Sequence, residues 1–449
     1  MSTWSRLARG IWWTLPAGLR DRLRVFLYAT RRSRSRFGRA GVVPAPGVSP
    51  HVRPSVAAPT AFVSVVIPTL DAGPLFARVL ATLHAQKGLE GLEIVVVDSG
   101  STDRTVDLAR ASGATVLAVD RGAFGHGLAR NLGAEHARGD VLVMLAQDAV
   151  LLGRTALASL IAELRADPAL AAVSARQVPR SDADLYAAYV VLTHERVVVE
   201  AAGTAGGRPP GDLSAAQRRA VAAVDDVCAA IERDVWRELR FRDVPFAEDV
   251  DFGLRAIESG RRVTVSRSTA VAHSHTRDAV YALRRSAADR LCVAPLVGDR
   301  RTARAAACEP MDVLRGGRLL VDAVAGALDH ARLGDARLAE HLRAVRASLR
   351  RDGGAASPTG ELERLAEALP SNGASSRAGK ASRLLADDLL ALLGWPPLTT
   401  FARPHSSATH AEAATFVAKL SAAVIGTAAG DACRRSPDPA TSEWLLDGI

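Results

Sequence analysis

Five short clusters hold the residues best suited to chemistry. The run Asp98-Ser99-Gly100-Ser101-Thr102-Asp103 sets two carboxylates among small residues at the end of an apolar stretch. Asp98, at such a tip, can accept hydrogen bonds from a base imide or a ribose hydroxyl. Ser101 or Thr102 can equally cap the helix that follows. In the second cluster, Gly125-His126-Gly127-Leu128-Ala129-Arg130-Asn131-Leu132-Gly133, a glycine-rich turn enters a helix with Arg130 in its first turn. Backbone N–H groups and a guanidinium so placed suit a diphosphate; the same pattern also describes a helix start with an arginine at the surface. It is not a dinucleotide fingerprint, because GxGxxG would need glycine where Arg130 stands and would follow the first strand, not the third.

Gln147-Asp148 follows the apolar run Val141–Ala146. One carboxylate at a strand tip can hold Mg²⁺ when phosphates supply further oxygens, although a single acid says little. Phe246-Ala247-Glu248-Asp249-Val250-Asp251-Phe252 opens a helix that runs to Ser259, and acids there complement the helix dipole. His273-Ser274-His275 places two imidazoles at i and i+2 after Arg262–Val271. Both can face one loop site, or only one can, and a metal needs convergent ligands.

The segments that must position these clusters alternate in period. Phe62–Pro68, Glu93–Asp98, Thr115–Val119 and Asp140–Ala146 read as strands, rich in β-branched residues. Pro74–Gln86, Asp103–Ala111 and Leu128–Ala137 carry helical spacing. This rhythm with short connections predicts a parallel sheet covered on both faces. Ligands of such sheets sit at the carboxyl ends of strands, so the loops after residues 68, 98 and 146 are the expected site.

Charge divides the chain. The 57 Lys plus Arg exceed the 48 Asp plus Glu by a formal +9, and residues 1–50 alone hold ten arginines against the single acid Asp21. The remainder is neutral, which excludes a nucleic-acid-binding protein that is basic throughout. Residues 1–40 combine Leu15, Leu19, Leu23, Phe26 and Leu27 at helical spacing with Trp4, Trp12 and Trp13. That pattern suits an amphipathic segment on an anionic membrane surface, and equally a helix packed on the rest of the protein. Arginines follow its apolar stretch where a signal peptide would show a small-residue cleavage site. Five prolines mark residues 41–61 as a linker. The four cysteines show no CxxC spacing, which fits a reducing compartment. No apolar run is long enough to span a bilayer. Beyond about residue 290 the chain is rich in Ala, Leu and Arg, with helical segments expected at 311–350, 361–369, 381–393 and 410–427.

Each cluster is weak alone; their order and separation are not. From Phe62 to about Arg285 the chain resembles the family 2 glycosyltransferases of the nucleotide-diphospho-sugar (GT-A) fold, a mixed and mostly parallel sheet. The resemblance rests on Val-Ile-Pro-Thr-Leu (66–70), Val-Val-Asp-Ser-Gly-Ser-Thr-Asp (96–103), His-Gly-Leu-Ala-Arg-Asn-Leu-Gly (126–133) and Gln-Asp-Ala (147–149). It continues with Arg-Gln-Val-Pro (176–179), Phe-Ala-Glu-Asp-Val-Asp-Phe (246–252) and His-Ser-His (273–275). The combination is most similar to the bacterial rhamnosyltransferase-like branch. Two departures stand out: Ala146 where the branch often has Thr, and Asp225–Ala230 in place of an Asn/Ser-rich stretch before Arg233 and Trp236.

The resemblance implies an inverting, metal-dependent transfer of rhamnose or a related sugar. The donor would be a nucleotide diphosphate, and the acceptor a hydroxyl of a cell-envelope glycan or lipid-linked molecule. Thr69, Asp71 and Asp98 would hold the nucleoside, and Arg130 would contact the nucleotide side of the donor. Gln147-Asp148 would take the place of the usual DxD, Arg176 and Gln177 would lie near the sugar, and Pro68 and Gly127 would also contact the donor. Asp148 would bind Mg²⁺ or Mn²⁺, with His273 or His275 completing the shell. Asp249 would be the general base and Glu248 its neighbour positioning the acceptor. The implied organisation is a membrane-surface segment (1–40), a linker (41–61), a GT-A domain (62–290) and a helical C-terminal region (291–449), in a cytoplasmic protein peripheral to the inner face of the plasma membrane. The same fold also supports a nucleotidyltransferase, or a non-catalytic nucleotide-sugar-binding or membrane scaffold protein.

Overall fold

The structure, a computed structural model, describes residues 61–184, 186–194, 198, 209–299, 410–435 and 437–446. The basic segment 1–40, nearly all of the linker and the expected helices at 311–350, 361–369 and 381–393 lie outside the described residues. The chain divides into two compact units. One comprises the described residues up to Ser181 together with His194–Ser274. The other comprises Asp182–Thr193 and the chain from His275 onward.

The first unit is built on eight strands: β1 (Phe62–Thr69), β2 (Gly91–Asp98), β3 (Thr115–Ala118), β4 (Val141–Leu145), β5 (Val150–Leu151), β6 (Leu170–Val178), β7 (Cys228–Glu232) and β8 (Arg262–Ala272). They form one sheet in the order β3-β2-β1-β4-β7-β6-β8-β5. β1 pairs in parallel with β2 and β4, β2 with β3, and β6 with β8. β7 runs antiparallel to β4 and β6, and β5 antiparallel to β8. The sheet is thus mixed and mostly parallel, as the sequence leads one to expect.

Alternation along the central strands feeds two cores. Val63, Val65 and Ile67 of β1, with Val141, Val143 and Leu145 of β4, face one of them. There they meet α1 (Leu75–His84) and α4 (Ala156–Arg165) through Phe76, Leu83, Leu157 and Leu160. Val66, Leu142, Met144 and Ile231 face the other side and its helices α3 (His126–His136), α6 (Arg233–Leu239) and α7 (Glu248–Glu258), through Ala134, Trp236 and Phe252. Two shorter helices, α2 (Thr105–Ala111) and α5 (Ala215–Val221), complete the unit.

In the second unit α8 (Ala279–Ala288) meets a 26-residue helix, α9 (His410–Arg435), followed by α10 (Pro439–Leu446). Gly426 and Gly430 allow the close crossing. A Cβ on Gly426 would stand 1.9 Å from the Leu283 carbonyl, and one on Gly430 would stand 2.7 Å from that of Ala287. Arg290 bridges Asp431 and Asp299 beneath this contact. Among the described residues, no helix is long and apolar enough to cross a membrane.

Candidate active site

The loops after β1, β2 and β4 leave the sheet at one edge, where β1 is flanked by β2 and β4. This is the switch point at which α/β sheets bind ligands. Side chains tie the three loops together. Thr69 Oγ1 donates to Asp98 Oδ1 at 2.8 Å, and Ser101 Oγ does so at 2.5 Å. The amides of Gly100 and Ser101 donate to Asp98 Oδ2. Asp71 adopts φ 43°, in the left-handed region that Asp tolerates, and its Oδ1 accepts from the Thr102 amide at 2.7 Å. Gln147 spans both backbone groups of Leu70, accepting from its N–H at 2.9 Å and donating to its carbonyl at 3.1 Å. Pro68 and Thr69 end the β1 ladder opposite Val97 and Asp98. Asp98, Asp71 and Gln147, all named from sequence as donor contacts, therefore also fix the shape of the loops that would receive a donor. Asp103, rather than Ser101 or Thr102, accepts the Thr105 amide at the start of α2.

The glycine-rich motif has a packing logic. A Cβ on Gly127 would lie 2.4 Å from the Arg242 carbonyl, and one on Gly133 would lie 2.3 Å from Val66 Cγ1. These glycines let α3 press against the 241–242 backbone at one end and the sheet at the other. Asn131 holds the same segment, donating to the Phe241 carbonyl at 2.7 Å and accepting from Trp236 Nε1 at 3.0 Å. Arg130 is buried between these anchors and reaches two carboxylates, Glu248 at 2.5 Å and Asp226 at 2.8 Å.

Glu248 and Asp249 begin α7 immediately after Ala247, whose φ of 67° is costly for a residue with a Cβ. Glu248 is buried. Burial pushes its carboxyl up, but Arg130, His126 and hydrogen bonds to the carboxylate together hold it below the usual range. Asp226 has the opposite balance. Burial, reinforced by Asp249, Glu248 and Asp225, pushes its carboxyl well up against the pull of Arg130. Asp249 is half-buried, with Oδ1 accepting the Val250 amide at 2.8 Å. The arrangement is a single buried cation holding two carboxyls of unequal acidity, beside a more accessible third.

Asp226 was not singled out as functional from sequence. The signal was its place: β7 runs antiparallel to β4, so the residues that precede β7 fall at the same edge as those that follow β4. Gly253 brings that loop close, since a Cβ there would stand 1.9 Å from the Ala222 carbonyl. Gly253→Ala is expected to lower the urea midpoint by the equivalent of about 1–3 kcal/mol, despite alanine's better helix propensity, because the obstacle is backbone. An unchanged midpoint would show that the 222–226 segment yields.

At the far edge of the sheet β5 pairs with β8 in the register Val150↔Ala272. This sets Asp148 beside His273, with Oδ1 3.4 Å from Nε2. Asp148 and His273 thus turn a carboxylate oxygen and an imidazole nitrogen to the same place. A carboxylate with imidazole beside it is a donor set for a divalent transition-metal cation when phosphate oxygens supply further ligands. Gln177, on β6 opposite Val271, accepts from His273 Nδ1 at 2.8 Å; Arg176 is buried on the same strand.

Sequence comparisons agree with this architecture. Residues 64–203 match the model of glycosyl transferase family 2. Over 220 residues the chain is 30% identical to the O-antigen chain rhamnosyltransferase RfbN of Salmonella typhimurium, and 28% identical to WbaN of Salmonella anatum. Each alignment covers 47% of this chain and 66% of the relative, so the match spans somewhat under two thirds of those proteins. Solved structures that resemble the chain include the mannosyltransferase PcManGT of Pyrobaculum calidifontis, in complex with GDP-Man and Mn²⁺ (21% identity, 92% of this chain and 95% of that one, TM-score 0.41). Another is glucosyl-3-phosphoglycerate synthase of Mycobacterium tuberculosis with Mn²⁺, UDP-glucose and phosphoglyceric acid (19% identity, 54% and 81%, TM-score 0.39). Over the matched residues the chain is similar to glycosyl transferase family 2 and to rhamnosyltransferases within it.

Proposed function

We propose that the protein is an inverting glycosyltransferase. It moves rhamnose or a related sugar from a nucleotide-diphosphate donor to a hydroxyl of a cell-envelope glycan or lipid-linked acceptor. The observation that carries this reading is the cluster at the start of α7, where Glu248 is locked by Arg130 and its neighbour Asp249 remains half-buried. A carboxylate held by a cation is a poor proton acceptor, whereas Asp249 is placed to act as one. Asp249 takes the proton of the acceptor hydroxyl as its oxygen bonds to the anomeric carbon, and the bond from that carbon to the diphosphate breaks on the opposite face. Glu248 positions the acceptor, and the loops fixed by Asp98, Asp71 and Gln147 receive the nucleotide. Asp148 with His273 and His275 would hold Mn²⁺ or Mg²⁺, which neutralises charge on a departing diphosphate.

The test is a panel of nucleotide sugars with Mn²⁺, scored for transfer and for donor hydrolysis. Turnover of one donor is expected, and no turnover of any would favour a binding or scaffold role. Asp148→Ala is expected to remove the metal dependence of donor binding; unchanged dependence would overturn the metal assignment. The basic N-terminal segment is proposed to hold the protein on the inner face of the plasma membrane. Deleting residues 1–40 should release it from anionic vesicles while activity on a soluble acceptor survives. Undiminished vesicle binding would move the contact elsewhere.

A further inference from the structure

A run of side chains behind His273, on the side away from Asp148, has no part in the transfer step. His273 Nδ1 lies 2.8 Å from Gln177 Oε1. The Gln177 side chain also helps to hold the Asp225 carboxyl down. Both oxygens of Asp225 approach His194 Nε2, at 3.0 and 3.2 Å. Gln177 belongs to β6 and Asp225 to the loop before β7, so the run is assembled by the sheet and not by chain proximity.

The chemistry of each member dictates the next. An ionised carboxylate can only accept, so the amide nitrogen of Gln177 must be the group facing Asp225. The Gln177 oxygen is then turned to His273, and only an imidazole N–H can meet it. His273 therefore carries its proton on Nδ1. The lone pair of Nε2 is left on the side of Asp148, 3.4 Å away. The hydrogen bond at one ring nitrogen decides what the other can bind.

We propose that His194, Asp225 and Gln177 form a positioning chain that fixes the tautomer and ring orientation of His273, so that its Nε2 presents a lone pair to a divalent cation shared with Asp148. The proposal rests on the metal reading above and extends it to three residues that touch neither cation nor donor in this role. Ionisation of Asp225 is what orients the amide. Burial pushes the Asp225 carboxyl up, and His194, Gln177 and His273 together leave it below its ordinary value. Asp225→Asn replaces an acceptor by a group that both accepts and donates. The Gln177 amide can then rotate, and His273 loses the reason to keep its proton on Nδ1.

Two measurements on the full chain test this. The first is the ¹⁵N spectrum of the His273 imidazole in metal-free wild-type protein, at a pH well above the ordinary histidine value of about 6.5. The Nδ1–H tautomer is expected. The Nε2–H tautomer would overturn the proposal, with no variant required. The second is titration with MnCl₂, following unbound Mn²⁺ by electron paramagnetic resonance. Asp225→Asn and Gln177→Leu are each expected to weaken Mn²⁺ binding about 10- to 100-fold, and Asp148→Ala at least as much. Wild-type affinity in folded Asp225→Asn and Gln177→Leu, with loss in Asp148→Ala, would overturn the positioning chain alone. Wild-type affinity in Asp148→Ala would overturn the metal reading and this proposal with it.

Discussion

Asp249→Asn is expected to reduce turnover by about 10²–10⁴-fold with little change in donor affinity. The substitution preserves shape, and the amide oxygen can still accept from the Val250 N–H that Asp249 Oδ1 now holds at 2.8 Å. What it removes is the capacity to take a proton. On the proposed reading the donor sits in the loops after β1, β2 and β4, away from the Asp249 carboxylate, so a donor titration by calorimetry should give nearly the wild-type constant. Initial rates at saturating donor should show the loss in kcat. Wild-type turnover by this variant would remove Asp249 from the base role. Glu248→Gln distinguishes the neighbours: it weakens the contact to Arg130 and should affect acceptor KM more than the protonation step.

Arg130→Met is expected to destabilise the protein by about 3–5 kcal/mol, since it leaves buried carboxyls without their cation. The pH dependence identifies the cause. In the wild type the lowered Glu248 carboxyl contributes stability above its unfolded value of about 4.3, lost as pH falls through the lower folded value. Asp226, whose carboxyl is raised, lowers stability as pH climbs from its unfolded value of about 3.9 toward the folded one. Without Arg130 both carboxyls are raised, and the folded state binds protons that the unfolded chain releases. The deficit against wild type should therefore be small near pH 4 and grow toward neutrality, in urea unfolding curves taken across that range. A deficit independent of pH would mean that lost packing of the arginine stem, and not charge, dominates.

Much of this molecule can be read from its residues. The strand expected at Glu93–Asp98 is Gly91–Asp98, and the helix expected at Leu128–Ala137 is His126–His136, because a short continuous β-branched run marks a strand buried on both faces and a glycine-rich turn marks the helix start. The loops after β1, β2 and β4 lie at one edge for the same reason. Local pattern could not reveal long-range pairing. The meeting of Arg130 with Asp226 and Glu248 joins positions about a hundred residues apart and depends on β7 running antiparallel in an otherwise parallel neighbourhood. Gly127 and Gly133 look from sequence like a phosphate-binding loop. Their closest neighbours are the Arg242 carbonyl and Val66, a distinction only packing can draw.

The connection from β4 to β5 has four residues, and each is committed. The Ala149 amide donates to the Ala146 carbonyl at 3.1 Å and closes the turn. Gln147 grips Leu70, Asp148 meets His273, and the ladder to β8 resumes at Val150. A one-residue insertion or deletion would break the turn or shift every partner of a two-residue strand to the opposite face. Any loop graft designed on the proposed function must treat this connection as a cassette of fixed length with its carboxylate third.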